Sequence, residues 1–278
     1  MNKVKYNIFD SSFAHERCSV AGRESNYISW NRAAFDPSLE TFYTHEFTLS
    51  ERTDPQRSYA WLLESKEFIP HIYAEIRRYL DNFKYVFTSD SYLLETYPNK
   101  CKFANSGGIW VGGAQGGGEI KQYEKTKFCS LVCGLKAMCS KHEMRVHLCE
   151  LLHRKIDIMG DLVGKYVPII DSLKDYHYSV IIENHIDKWY FTEKLLNCFA
   201  SNTLPIYCGA TDLGKYFNMD GVIQFSTIDE CMSIIHKLTP DYYYTKLDAV
   251  KDNFERCKKF CVIEDFIYEN YLKDEVHD

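Results

Sequence analysis

Four short apolar runs in the second half of the chain, KFCSLVC (127–133), KIDIM (155–159), YSVII (178–182) and LPIYC (204–208), alternate with segments of helical spacing. Runs of that length match buried strands. After the first run, Ser140 and Glu143 form an S-x-x-E capping box ahead of the apolar stripe Met144, Leu148, Leu151 and Leu152. Before the last run, Thr192 can cap a helix carrying Leu195, Leu196, Phe199 and Ala200 on one face. Repeated strand–helix–strand order demands a parallel sheet, because parallel neighbours need a crossover between them. The expected fold class is therefore α/β, with a doubly wound nucleotide-binding domain whose ligands sit at the carboxyl ends of the strands.

The first half repeats the theme less clearly. KVKYNIF (3–9) and YAWLL (59–63) read as strands. Pro70 fits the first turn of a helix with Ile72, Ile76 and Leu80 on one face, and KYVFT (84–88) is the next strand. Residues 10–58, rich in Ser, Arg, Asn and Thr, read as long loops. SGGIWVGGAQGGG (106–118) carries seven glycines but lacks G-x-G-x-x-G spacing, and no clear helix follows it. It reads as a flexible loop running into an interdomain linker. The tail, 240–278, reads as amphipathic helices packing onto the body. With 278 residues in all, two domains are expected, 1–122 and 123–278 with the terminal helices in the second.

Composition removes several function classes. The net charge of −6, with no run of Lys and Arg, argues against a nucleic-acid partner. None of the 11 cysteines forms a CxxC pair, the spacings Cys129–Cys133 and Cys257–Cys261 do not fit zinc, and no HExxH helix exists. No metal site is expected, and free buried thiols point to a reducing, cytoplasmic setting. MNKVKYNIFD lacks an apolar signal region, and no apolar stretch reaches the ~18 residues of a membrane span. GATDLGKY (209–216) departs from a P-loop at its last position, where Tyr216 is too long to place its oxygen on a metal.

The chemistry concentrates in residues 178–209. A buried strand ends in Glu183 and Asn184, and a helix then starts at Thr192 with unpaired N–H groups and a positive dipole end. Lys194 in the first turn weakly opposes that dipole, so an anion such as a diphosphate is expected to compensate. Glu193 beside it can accept hydrogen bonds from sugar or ribose hydroxyls. The plain alternative is a solvated Glu-Lys pair. Arg145 on the preceding helix can grip phosphate oxygens, or can be an ordinary surface arginine. Glu64, at the end of YAWLL in the other half, is a candidate base for the proton of an attacking hydroxyl, or a peripheral glutamate of the ESKE stretch.

These residues in this order resemble glycosyltransferase family 10, the α-1,3/1,4-fucosyltransferases. The family's E-N-S element, its Tyr, its T-E-K-L and its Pro-hydrophobic-hydrophobic strand are similar to Glu183, Asn184, Tyr190, Thr192, Glu193, Lys194, Leu195 and Pro205. Its upstream strand, Arg and V-D-x-Y-G look like 127–133, Arg145 and 156–160, and its E-S-P looks like Glu64 and Ser65. The resemblance covers about 59–225. It implies a GT-B-type fold, two Rossmann-like domains facing a central cleft, and metal-free transfer with inversion.

By the same resemblance, Arg145 and Lys194 would hold the donor diphosphate. Glu183, Asn184, Tyr190 and Glu193 would contact ribose and sugar beside Thr192, and Glu64 would be the general base. Departures occur at His185 for Ser, Trp189 for an acidic residue, Lys66 for Pro, and Cys133-Gly134-Leu135 for S-N-C. They fall where donor choice is set. GDP-fucose is the default donor and a glycan the acceptor, with a UDP-sugar such as UDP-xylose as the alternative. A non-catalytic sugar- or nucleotide-binding module is the reading from another class.

Overall fold

Both halves build an all-parallel sheet in the computed structural model, which describes residues 3–10, 17–51, 53–135 and 139–275. The chain divides into one unit of Met1–Gly108 with Lys259–Asp278 and another of Ile109–Lys258. These limits differ from the expected boundary at 122/123, and the end of the tail joins the first unit.

The first unit orders its strands β2-β1-β3-β4-β5-β6. They are β1 (Val4–Phe9), β2 (Ile28–Asn31), β3 (Thr41–Thr44), β4 (Ser58–Trp61), β5 (Tyr85–Thr88) and β6 (Cys101–Phe103). β2 and β3 correct the reading of 10–58 as loops. Each is four residues long, and TFYT is buried at every position, so it shows no polar-apolar alternation to detect. α1 (Pro70–Glu75) starts at Pro70 as expected but tightens into 3-10 turns at Ile76–Arg78 and Leu80–Asn82. Ile72, Ile76 and Leu80 are nevertheless all buried. α2 (Ser91–Thr96) is capped by Asp90, whose carboxylate accepts the Leu93 N–H at 2.8 Å. Aromatic rings fill the core. Phe42 stacks on Phe87 with centroids 5.8 Å apart and meets Tyr6 edge-on at 5.2 Å.

The second unit runs β7 (Lys127–Val132), α3 (Ser140–Leu152), β8 (Asp157–Met159), β9 (Tyr176–Ile182), α4 (Glu193–Ala200), β10 (Leu204–Cys208), β11 (Ile223–Gln224), α5 (Ile228–Lys237), α6 (Pro240–Thr245) and α7 (Leu247–Cys257). Its order, β11-β10-β9-β7-β8, repeats the winding of the first sheet. The direction of growth reverses between β7 and β9, so a crevice is expected at their carboxyl ends. Two details of α3 differ from expectation. Its cap position is Cys139, with no side-chain cap bond, and the side chain of Ser140 lies outside the described residues. Leu151 is 42% exposed, so Leu148, Cys149 and Leu152 make the buried stripe. Thr192 caps α4 as expected, its hydroxyl accepting the Lys194 N–H at 3.3 Å.

Beyond α7, α8 (Ile263–Ile267) returns to the first unit, where Ile263 and Ile267 enter the aromatic core. Its buried Glu264 accepts Ser19 N–H at 2.6 Å and Ser19 O–H at 2.8 Å. All eleven cysteines are free thiols. Among the described residues, no helix is long and apolar enough to cross a membrane.

The equivalent reversal in the first sheet lies between β1 and β3. There His45, one residue past β3, holds φ at +47°, which costs a non-glycine residue about 1 kcal/mol or more. Its ring is buried, and Nε2 has no hydrogen-bond partner in the protein. Burial lowers its pKa, against the carboxylates of Glu46 and Asp10. A lowered folded-state pKa means that the unfolded chain takes up a proton first. The contribution of His45 to stability is therefore full above its ordinary value of 6.5 and is lost as pH falls below it. His45→Asn, which tolerates the left-handed backbone, is expected to lose less melting temperature than the wild type between about pH 7 and about pH 5. Equal losses would contradict a buried neutral imidazole.

Candidate functional site

The start of α4 is organised by one carboxylate. Glu183 directly follows β9 and is wholly buried. Its Oε1 accepts the Thr192 N–H at 2.9 Å, and its Oε2 accepts the Thr192 hydroxyl at 2.7 Å. Lys194 Nζ lies 3.4 Å from Glu183 Oε2 and 3.4 Å from Glu193 Oε1. The anion expected to offset Lys194 is thus already supplied by two side chains. Burial raises the Glu183 pKa, against the pull of Lys194. Burial alone would lower Lys194, but Glu193 and Glu183 outweigh it and the ammonium ends up raised. Gly209 after β10 has no room for a Cβ, which would stand 2.6 Å from Glu183 Cγ. Glu183 therefore lies beneath the helix start, held by Thr192 and Lys194.

Arg145, on α3, donates from Nη2 to the Ile182 carbonyl at 2.6 Å and to Asn184 Oδ1 at 3.4 Å. His142 Nε2 stands 3.1 Å from the same Asn184 oxygen. Tyr190 is buried, its ring edge-on to His185 at 5.7 Å. Arg145, Glu193 and Lys194 line one cavity of about 170 Å³, walled by Val132 at the end of β7 and Ile182 at the end of β9. That is the β7/β9 reversal, where an open parallel sheet leaves its crevice. Glu64 belongs to the first unit, three residues past the end of β4. Its side chain is exposed, and its carbonyl accepts the Tyr73 hydroxyl at 2.9 Å.

Among the cavity residues to which the sequence reading gave no role are Trp110 and Asn197. The glycine-rich segment that holds Trp110 is a packed turn, which corrects the flexible loop expected there. Ile109 and Val111 are fully buried. The Trp110 and Val111 N–H groups both donate to Asn197 Oδ1, at 2.9 and 3.1 Å. A Cβ on Gly116 would run into the Trp110 carbonyl, so glycine is needed there for close backbone approach. An Asn on the apolar face of α4 was the available signal, since a buried amide needs partners. The P-loop-like stretch forms only a 3-10 turn at Leu213–Lys215, with Lys215 Nζ 4.6 Å from the Trp189 ring centre.

Residues 123–247 match the family described as glycosyltransferase family 10 (fucosyltransferase) C-term. An alpha-(1,3)-fucosyltransferase, FucT of Helicobacter pylori, is 29% identical over 85 residues, 30% of this chain and 17% of that relative. The matched stretch is thus a small part of the relative's length. A crystal structure of an alpha1,3-fucosyltransferase superposes with a TM-score of 0.53 at 15% identity, covering 97% of this chain and 91% of the other. A second, with GDP, gives 0.50 at 14% identity, covering 97% and 92%. These structures share the α/β fold of GT-B type.

Glu183→Ala would strip Thr192 and Lys194 of a buried anionic partner. Urea unfolding is expected to show a loss of about 3 kcal/mol or more. Glu193→Gln, at a part-exposed position, is expected to cost about 0.5 kcal/mol or less. Equal costs would contradict the placement of Glu183 as the anchor of α4.

Proposed function

The chain belongs to glycosyltransferase family 10 through residues 123–247, and on that premise we propose that it transfers a sugar from a nucleotide-sugar donor, GDP-fucose by default, to a hydroxyl of a glycan. The observation that carries this reading is the cavity at the β7/β9 reversal, which gathers Arg145, Lys194 and Glu193 at the start of α4. Arg145 and Lys194 would hold the diphosphate, helped by the N–H groups and dipole of the helix. Glu193 would accept hydrogen bonds from sugar or ribose hydroxyls, and Asn184, Thr192 and Tyr190 would shape the adjoining surface. Glu183 would act through Thr192 and Lys194 as a positioning residue. The GDP held by one of the solved neighbours agrees with a guanine nucleotide.

In the proposed reaction the acceptor oxygen forms its bond to the anomeric carbon as the bond from that carbon to the diphosphate breaks. The configuration inverts, and the acceptor proton passes to Glu64. Fixed positive groups matter most on the leaving side, because charge develops there during the step.

A thermal-shift panel tests the reading. GDP or GDP-fucose at about 100 times its dissociation constant should stabilise the fold by about 2.7 kcal/mol. Lys194→Met and Arg145→Met should remove that shift. Glu64→Gln should keep it while turnover falls about 100-fold or more. A response to UDP and UDP-xylose alone would reassign the donor, and no response to any nucleotide would end the donor-site proposal.

A further inference from the structure

We propose that Trp110 is the nucleobase platform of the donor site, stacking its indole on the heterocycle of a nucleoside diphosphate. The inference rests on the donor-site reading and specifies which part of the donor meets which wall. Trp110 lies outside the stretch matched to the family, in the glycine-rich segment that showed no phosphate-binding spacing.

Three observations carry it. First, Trp110 lines the same cavity as Arg145, Glu193 and Lys194 and is only part-buried. Secondly, its backbone is fixed. Asn197 Oδ1, from α4, accepts both the Trp110 and Val111 N–H groups, and the Trp110 carbonyl accepts the Gly113 N–H at 2.8 Å. Thirdly, the cavity offers both kinds of surface. Its charged groups are Arg145, Glu193 and Lys194, and its lining also includes the apolar Val132, Ile169, Leu173 and Val180 beside Ser172, Ser179 and Asn197. A diphosphate takes the charged groups, and a flat heterocycle takes the apolar wall and the indole. Any base offers a π-face, and one such stack contributes about 1–3 kcal/mol. The glycines then have a mechanical purpose. The chain folds so tightly here that Gly116 abuts the Trp110 carbonyl.

The test compares binding of GDP and of inorganic pyrophosphate, which has no base, to the wild type, Trp110→Phe, Trp110→Leu and Lys194→Met by titration calorimetry. Trp110→Leu keeps apolar bulk without a π-face. It should weaken GDP about 10- to 100-fold and leave pyrophosphate unchanged. Trp110→Phe should stay within about fivefold of the wild type for GDP, and Lys194→Met should weaken both ligands. The proposal is overturned if Trp110→Leu binds GDP like the wild type, if it loses GDP and pyrophosphate in equal proportion, or if Trp110→Phe loses as much as Trp110→Leu. A wild type that binds neither ligand would instead remove the donor-site reading beneath it.

Discussion

The buried carboxylate of Glu183 is the interaction on which the start of α4 in the second unit depends. It stands where β9 stops and ties that point to the first turn of α4 through Thr192 and Lys194. A lone buried carboxylate would cost several kcal/mol. Two hydrogen bonds and an ammonium offset that cost only while α4 starts where it does. The strand end and the helix start are therefore not independent, and the groups that face the cavity inherit their positions from this contact. Gly209 extends the same constraint, because its missing side chain lets the turn after β10 close against Glu183.

The far side of α4 is held by a second buried charge. Lys125 Nζ donates to the carbonyls of Ser201, Leu173 and Lys174 at 2.8, 3.2 and 3.0 Å, and to the Thr203 hydroxyl at 3.0 Å. An ammonium at a helix carboxyl end complements the dipole there. Burial pushes the Lys125 pKa down to about 7, against the pull of Cys198 and Asp175. α4 thus carries a buried anion under its amino end and a buried cation at its carboxyl end. It is a short helix, and these buried contacts at both ends hold it more firmly than propensity would.

The second sheet was legible in the sequence because its strands are apolar runs and its helices carry caps and stripes. KFCSLVC and LPIYC could hardly be anything else, and Thr192 sits at the cap its type predicted. β2 and β3 were illegible for the opposite reason. ISWN and TFYT carry polar atoms satisfied by neighbouring strands, and four residues are too few to display a period. Leu151 shows that a helical stripe can be one residue too wide when read without its partner. Burial separates Glu183 from Glu193, a difference that the sequence hides because the two look alike there. The glycine-rich segment misled because glycine marks flexible chain and close packing equally well, and only a neighbour such as the Trp110 carbonyl decides between them.

The charges in the cavity offset one another. Arg145 and Lys194 are balanced by Glu183 and Glu193, so the site has no large net charge to destabilise the fold. The two carboxylates differ in what they can give up. Glu183 is locked by Thr192, whereas Glu193 is part-exposed and holds Lys194 from the cavity side. A diphosphate arriving at the start of α4 would compete with Glu193, not with Glu183, for the ammonium. Release of Glu193 would then free a carboxylate to accept hydroxyl hydrogens just as Lys194 turns to phosphate. The two contacts expected of the motif would form together, and a ligand offering only one of them would leave either an unpaired ammonium or an unpaired carboxylate. Such a site would discriminate in favour of a molecule that carries both a diphosphate and a sugar.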